Sequence, residues 1–426
     1  MKVGSYALVL SAMLVLAGCT AGPPTETPSP TASEPSSSGA CVVDPAKVTR
    51  AALPESALQT LEGDTAVALH DAVELALAQT AASGAVVGVR SPEGTWIEAF
   101  GDAAPGTAMT TDIYQRVGSI TKTFTGTLVL QLAEEGLLSL DDPISMYLDG
   151  IPNGDTVTIR LMISMTSGLA SYTLDPGWQE QYFSDPLKVW TPDELLAIIK
   201  QLTPSFAPGA EYEYSNSNFV LLGLLAEKVT GQPIDQLLHE RIIDPLELTH
   251  TSFPGGSAEF PSPHAQGATL QATNATPDAP ANPTDWNPSW GWTAGEMISS
   301  IDDLLTYGRA LGTGQGLLDP SEQEQRLSSF SADRGTYSYG FALGCVGGWV
   351  GHTGELPGFN SAIYYQTDSD TIVAVMTNSD ISTGSCTQSP LLATNPTDIS
   401  CSAPAPRLFE AIGDALGTPF APPPQT

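Results

Sequence analysis

Ser119 and Lys122 are the residues whose types and spacing best fit a chemical reaction. Apolar positions at helical spacing predict a helix over residues 119–135, with Phe124, Leu128 and Leu132 on its buried face. Residues three apart on a helix share a face, so the lysine amine can reach the serine hydroxyl. Burial and the positive end of a helix lower the pKa of a lysine, which then can accept the hydroxyl proton. The pair predicts a nucleophile and its base, although Ser-x-x-Lys alone is not specific.

Two other segments carry polar groups suited to the same reaction. Tyr214 and Asn216 belong to a Tyr-Ser-Asn run that follows a Pro-Gly turn and precedes an apolar helix. A tyrosine hydroxyl can relay a proton and an asparagine amide can bind a substrate carbonyl, but Ser-Asn before a helix is also ordinary capping chemistry. Residues 351–354 read Gly-His-Thr-Gly. Glycines there would let a substrate approach a strand closely, whereas His352 taken alone has a structural alternative.

The predicted elements place strands at both ends of the chain and helices between them. The predicted strands are residues 85–90, 95–100, 337–345, 359–366 and 371–378, and the terminal helices are residues 64–82 and 407–416. Residues 119–248 are mainly helical in pattern. We therefore expect an α/β fold of the α+β type, in which both chain ends build one antiparallel sheet flanked by helices. A mainly helical region is inserted into this sheet, and a cleft lies where the two meet.

Residues 255–291 are rich in Pro, Asn and Thr, which predicts long loops. Three tryptophans lie at the end of this stretch or directly after it, namely Trp286, Trp290 and Trp292. They either line the rim of the cleft or pack the loops onto the body of the protein.

Together the three motifs resemble those of the serine penicillin-recognising enzymes. This group includes the low-molecular-weight DD-carboxypeptidases, the class C β-lactamases, and related esterases and D-amino-acid peptidases. Tyr-Ser-Asn with His-Thr-Gly is most similar to the secreted D-alanyl-D-alanine carboxypeptidases, and the resemblance extends over about residues 65–416. It implies a β-lactamase/transpeptidase-like fold and an acyl-enzyme chemistry that needs no cofactor.

The resemblance also implies a role for each matching residue. Ser119 is the nucleophile, Lys122 and Tyr214 share the proton transfers as a coupled unit, and Asn216 orients the substrate amide. The backbone N–H groups of Ser119 and of residue 355 form an oxyanion hole. The substrate-binding residues on the strand side are His352, Thr353, Gly354 and Glu355.

Glu355 departs from the family pattern, because relatives often carry a hydroxyl there. Its carboxylate would repel an anionic end of a substrate if it faced the cleft, and would be harmless if strand alternation pointed it away. Residues 339–348 contain no Arg or Lys that could bind such an end. Met165, where relatives often have His, is expected to be structural.

The N-terminus predicts export. Lys2 precedes an apolar run and Leu-Ala-Gly-Cys at residues 16–19, which resembles the lipobox of bacterial lipoproteins. We expect residues 1–18 to be a lipoprotein signal peptide and Cys19 to carry the lipid that anchors the protein outside the cytoplasmic membrane, with ordinary secretion as the alternative. Residues 19–41 are predicted to be a disordered Pro/Ser/Thr tether, residues 42–418 the catalytic domain and residues 419–426 a disordered tail.

The charge and the cysteine content of the chain indicate which partners, metal sites and disulfides to expect. The formal net charge of -32 disfavours nucleic acid as a partner. A low pI is, however, also common among protein surfaces with no such functional meaning. We expect the protein to be a monomer. No Cys-x-x-Cys or His-Glu-x-x-His spacing occurs, so no metal site is expected. Besides Cys19 four cysteines remain, which allow three pairings. Cys386 with Cys401 would close a short loop and leave Cys41 for Cys345.

Three functions follow from the sequence. The first is a D-alanyl-D-alanine carboxypeptidase-like hydrolase acting on cell-wall stem peptides or other D-amino-acid peptides. The second is an esterase or β-lactamase on the same scaffold, distinguished by how fast the acyl-enzyme is hydrolysed. The third is a penicillin-binding lipoprotein without catalytic activity, which the presence of all three motifs disfavours.

Overall fold

A computed structural model describes residues 40–330, 337–387 and 389–421. The predicted signal peptide, Cys19 and nearly all of the predicted tether lie outside the described residues, as do the last five residues of the predicted tail. The described residues belong to one compact unit. Within them, no helix combines the length and apolar character needed to cross a membrane.

Eleven α-helices occur in the described residues. They are α1 Pro45–Val48, α2 Asp64–Leu77, α3 Thr121–Glu134, α4 Ile159–Ile163, α5 Pro176–Ser184, α6 Pro192–Ile199, α7 Asn216–Thr230, α8 Ile234–Leu238, α9 Ile301–Thr313, α10 Pro320–Leu327 and α11 Pro404–Ala415. Six of them, α3 to α8, lie within residues 119–248, where the sequence predicts a mainly helical insertion.

Ten strands occur in the same part of the chain. They are β1 Gly84–Ser91, β2 Gly94–Ala104, β3 Thr107–Ala108, β4 Gln115–Arg116, β5 Ile298–Ser299, β6 Ser338–Tyr339, β7 Gly344–Val346, β8 Trp349–Leu356, β9 Phe359–Gln366 and β10 Thr371–Thr377. Eight form one antiparallel sheet in the order β3-β2-β1-β10-β9-β8-β7-β6, and β4 pairs with β5 separately. The structure confirms one sheet built from both chain ends.

The pairing of β1 with β10 joins the two ends of the chain. Val87 lies opposite Val375, and six pairs of residues are in register. Both strands are almost continuously apolar, which is typical of strands buried on both faces. Helices α2 and α11 cover one face of the sheet, and α9 with the inserted helical region covers the other.

Close packing of α9 on the sheet depends on its glycines. A Cβ at Gly308 would lie 2.4 Å from Ile372 Cδ1, and one at Gly312 would lie 2.3 Å from Tyr365 Cδ1. Distances below 3 Å are clashes, so only a residue without a side chain lets the helix approach this closely. The contact fixes α9 against the centre of the sheet.

Several predicted boundaries differ from the structure. The predicted strand 337–345 is two short strands, β6 and β7, because the chain turns between them with Ala342 at φ 58°. Cys41, placed in the tether, is 1% exposed, and Phe420, placed in the disordered tail, is 2% exposed and packs against Trp349 and Phe409. The folded part therefore begins by residue 41 and extends at least to residue 420.

The four described cysteines form two disulfides, Cys41–Cys345 and Cys386–Cys401. Their Cα atoms lie 6.3 Å and 4.7 Å apart, within the range that a disulfide spans. This is the pairing that we expected from the short Cys386–Cys401 loop. The first bridge ties the start of the folded part to β7, next to the strand that borders the cleft.

Candidate active site

The start of α3 is held against the end of β8 by two glycines. Gly118 has φ +55°, and a Cβ on it would lie 2.5 Å from Glu355 N. A Cβ on Gly354 would lie 1.9 Å from Val117 O. The two backbones therefore touch directly, and the chain makes one 3-10 turn over Gly118–Ile120 before α3 begins. This contact places Ser119 beside the Glu355 N–H.

Lys122 is fully buried and lies against Ser119. Its Nζ is 2.9 Å from Ser119 Oγ and 2.6 Å from the Ala294 carbonyl oxygen. No carboxylate among the described residues forms an ion pair with it. Removal from water therefore lowers the pKa of Lys122 well below its usual range. A neutral amine that donates to Ala294 keeps its lone pair for the Ser119 proton.

Tyr214 lies close to both the Lys122 amine and the Ser119 hydroxyl. Lys122 Nζ is 4.9 Å from the centre of the Tyr214 ring. Burial raises the pKa of Tyr214, and the nearby Ser119 hydroxyl opposes this only in part. The phenolic oxygen is buried and makes no hydrogen bond of good geometry within the described residues. A protonated phenol at this position is suited to donate a proton, and in the free enzyme the neutral lysine is the better base.

Asn216 occupies the first residue of α7. Its N–H donates to Ser171 Oγ at 3.1 Å, and its Nδ2 donates to Thr173 Oγ1 at 3.0 Å. Ser215, the residue before the helix, makes no capping hydrogen bond with its side chain, and its hydroxyl has no partner in the described chain. The Tyr-Ser-Asn run is therefore not an ordinary serine cap, and its amide is oriented by the loop that precedes α5.

His352 lies on β8 and is 3% exposed. Its Nδ1 is paired with the Thr353 carbonyl, and its Nε2 is 3.2 Å from Tyr339 Oη. Burial lowers the pKa of His352 to about 3, and Lys122 adds to this effect only when its amine is protonated. The imidazole is therefore neutral, with its proton on Nδ1, and Tyr339 donates to Nε2. Thr353 and Gly354 follow on the same strand, Thr353 half-buried and Gly354 pressed against residue 117.

Tyr339 was not among the predicted site residues. Its ring packs edge-on against Tyr214 and His352, with ring centroids 6.4 Å and 5.6 Å away. Only the placement of a tyrosine in the predicted strand 337–345 could have indicated it. It holds His352 and Tyr214 in a fixed arrangement beside the lysine.

A cavity of about 150 Å³ opens beside Asn216 and Glu355. Its aromatic wall consists of Trp178, Tyr182, Phe183 and Trp290. Trp290 therefore lines the cleft, whereas Trp292 is 5% exposed and packs in the core. Trp286 is partly buried and touches Tyr182, with ring centroids 6.0 Å apart. The two alternatives for the tryptophans thus apply to different residues.

The Glu355 side chain faces this cavity, which settles the direction that the sequence left open. Solvent reaches the carboxylate, but the surrounding protein replaces much of its hydration and, with repulsion from Asp380, raises the pKa of Glu355 to about 8. The other polar residues at the cavity include Thr173, Gln179 and Gln271, none of which the sequence analysis identified. In the described residues no cluster of His, Cys, Asp and Glu could hold a metal ion.

Sequence comparison with known proteins identifies relatives whose family fits the geometry of this site. The family model described as Beta-lactamase matches residues 69–392. The putative penicillin-binding protein PbpX of Bacillus subtilis is 30% identical over 62% of this chain, and protein flp of Staphylococcus aureus is 28% identical over 62%. These alignments cover 61% and 52% of the relatives' own lengths.

Solved structures of similar fold include two hydrolases. A D-stereospecific amidohydrolase from Streptomyces sp. is 35% identical, with a TM-score of 0.68, and the alignment covers 74% of this chain and 94% of that one. The D-amino acid amidase of Ochrobactrum anthropi shares the fold, with 23% identity, a TM-score of 0.70 and coverage of 84% and 98%. From the family match and the shared fold, this chain is a member of the beta-lactamase family of serine hydrolases.

Proposed function

We propose that the protein is an amidohydrolase that cleaves amide bonds of D-amino-acid peptides and amides through an acyl-enzyme at Ser119. The observation that carries the proposal is the 2.9 Å contact between Ser119 Oγ and the buried amine of Lys122, which has no carboxylate partner among the described residues. The D-stereospecific amidohydrolase from Streptomyces, 35% identical, supports the substrate class. β-Lactams contain a strained amide and would acylate the same serine.

The geometry supports an ordered set of steps. Lys122 Nζ accepts the proton of Ser119 as Oγ attacks the substrate carbonyl carbon, and the negative oxygen is bound by the N–H groups of Ser119 and Glu355. Tyr214 then donates a proton to the leaving nitrogen as the C–N bond breaks, and Lys122 returns its proton to Tyr214. Water adds to the Ser119 ester, passes a proton back to the serine oxygen and releases the acid.

Recognition of a terminal carboxylate, which a D-alanyl-D-alanine carboxypeptidase requires, has less support. Glu355 faces the cavity, and no Lys or Arg is among the described residues that line it. Ionised Glu355 would repel an anionic substrate end, and protonated Glu355 offers no positive charge to bind one. We therefore place unblocked or neutral amide substrates ahead of stem peptides ending in a carboxylate.

Export and lipid anchoring are part of the proposal and are supported by the Leu-Ala-Gly-Cys run at residues 16–19. A mature protein that begins with diacylglyceryl-modified Cys19 is the expected product in a bacterial host. Mass spectrometry of the N-terminal peptide tests this. A mature chain that begins elsewhere without lipid would favour ordinary secretion.

The purified protein should release ammonia or amine from D-amino-acid amides and peptides, and not from their L-enantiomers. A substrate panel should include D-phenylalaninamide, a D-Ala-D-Ala peptide, nitrocefin and a short ester. The Ser119→Ala variant should lose both hydrolysis and labelling by fluorescent penicillin or a fluorophosphonate, with an unchanged circular dichroism spectrum. Rapid turnover of nitrocefin without amide hydrolysis would instead favour a β-lactamase. Hydrolysis that survives in Ser119→Ala would refute the assignment of the nucleophile.

A further inference from the structure

The cavity that Asn216 and Glu355 line contains an acidic residue with no matching cation. Glu355 is the acidic residue that lines it, and no Lys, Arg or His is among its described lining residues. The buried arginine behind the Tyr182 wall, Arg116, donates instead to the carbonyl oxygens of Ala258 and Thr284 at 3.1 Å and 3.4 Å. The Glu355 carboxyl group therefore has no cationic partner in the described protein, and its raised pKa of about 8 means that a ligand cation would stabilise its charged form.

A second carboxyl group, that of Asp380, adds negative potential next to Glu355. Asp380 is 7% exposed and accepts hydrogen bonds through Oδ2 from Thr269 and from Gln271, whose side chain also lines the cavity. Its other oxygen, Oδ1, is buried and has no hydrogen-bond partner in the described chain. Glu355 lines the cavity and Asp380 lies behind it, and neither forms an ion pair with a cation of the described residues, so a cationic ligand would supply the missing partner.

The aromatic wall adds a second feature that suits a cation on an organic group. Trp178 stacks on Tyr182, with ring centroids 5.1 Å apart, and Trp290 packs edge-on against both. Tryptophan and tyrosine rings bury apolar side chains, and their faces attract ammonium groups. The cavity thus combines an apolar wall with an acidic edge, and the acidic residue is the one whose N–H adjoins Ser119.

We propose that this cavity binds the residue that acylates Ser119 and that Glu355 is the counter-ion of its free α-ammonium group. The inference deepens the proposed function and rests on it. The substrates are then unblocked D-amino-acid amides, and peptides cut after an unblocked D-residue at the amino terminus. Asn216 contacts the acyl group from the opposite side of the cavity, and the aromatic wall takes its side chain.

The test uses the full-length protein with Ser119→Ala, so that binding is measured without turnover. Isothermal titration calorimetry at pH 7 compares D-phenylalaninamide with N-acetyl-D-phenylalaninamide and with 3-phenylpropanamide, which lacks the amine. We expect the free amine to bind at least about tenfold more tightly than either neutral ligand. Addition of Glu355→Gln should remove this preference. The matched control adds Glu93→Gln, in an exposed turn away from the cavity, and should keep it.

Equal affinities for the three ligands in the Ser119→Ala parent would overturn the inference without any further variant. The inference would also be overturned if Glu355→Gln weakened the binding of all three ligands equally. Wild-type kcat/KM for D-phenylalanine p-nitroanilide and its N-acetyl derivative separates this inference from the proposed function. Hydrolysis of both at equal rates refutes the ammonium site and leaves the amidohydrolase. Tight binding of the amine with no hydrolysis of any amide refutes the amidohydrolase and leaves the ammonium site.

Discussion

Replacement of Lys122 by methionine should slow acylation by several orders of magnitude while the fold survives. Methionine has a similar length and suits the apolar surroundings, which include the rings of Tyr214 and Phe219 at 4.9 Å and 5.8 Å from Nζ. The substitution removes the amine that lies 2.9 Å from Ser119 Oγ and that donates to Ala294. It leaves no charge unpaired, because no carboxylate of the described chain forms an ion pair with this lysine.

The expected effect on stability is small and that on rate is large. The Ala294 carbonyl loses one donor, which costs about 1–3 kcal/mol, and the buried methionine side chain offsets part of this. Loss of a positioned base lowers a rate by about 10²–10⁴-fold, which corresponds to about 3–5.5 kcal/mol in activation free energy. The two effects therefore differ enough to be separated in one experiment.

The assay follows the time course of Ser119 labelling by fluorescent penicillin, with thermal unfolding measured by circular dichroism on the same samples. Lys47→Met, on an exposed part of α1, is the matched control and should label at the wild-type rate. Labelling of Lys122→Met within threefold of wild type, in a folded protein, would show that another group takes the serine proton. A variant that fails to label because it is unfolded would contradict the predicted small effect on stability.

Three other predictions concern the same site. The acylation rate for an uncharged ester should fall as the pH drops below the lowered pKa of Lys122, because only the neutral amine accepts a proton. The same acidic limb should remain in His352→Asn, since a pKa of about 3 already keeps His352 neutral; its disappearance from the pH–rate profile would assign the limb to the histidine. Gly118→Ala should slow labelling by at least about 100-fold, because its Cβ would lie 2.5 Å from Glu355 N and displace an oxyanion donor, whereas Gly106→Ala, at φ +76° with nothing within 4 Å, should label normally. Glu355→Thr should raise the rate on peptides ending in D-Ala-D-Ala several-fold, as measured by D-alanine release, and an unchanged rate would mean that the carboxylate does not act on that end of the substrate.

Local sequence patterns were sufficient to predict the main strands and the contact between Ser119 and Lys122. Strand β9 has the predicted bounds because two turn signals enclose an apolar run, and the Ser119–Lys122 contact follows from their spacing of three residues. The start of α3 was less accurate. The predicted helix began at residue 119, but the backbone contact of Gly118 with β8 imposes a 3-10 turn first. That contact joins residues more than 230 positions apart, and no local pattern records it.

The cavity beside Asn216 and Glu355 is the feature that the sequence was least able to predict. Trp178 and Tyr182 lie on α5, Trp290 lies in a long loop and Glu355 ends a strand, so the cavity exists only after three distant segments pack together. The direction of the Glu355 side chain depends on the same packing. Phe420 was likewise missed because a single aromatic residue in a Pro-rich tail carries no periodic signal, although its ring packs against those of Trp349 and Phe409.

The pairing of β1 with β10 has a consequence for biosynthesis. A nascent chain that has released β1 and β2 must wait for almost the entire remaining polypeptide before the inner edge of β1 finds its neighbour. Until then an apolar strand with unpaired amide and carbonyl groups is exposed, which is the kind of surface on which other chains aggregate. Truncated products that stop before residue 371 should therefore be insoluble and cleared by proteolysis, and the gene should tolerate insertions in peripheral loops far better than an early stop.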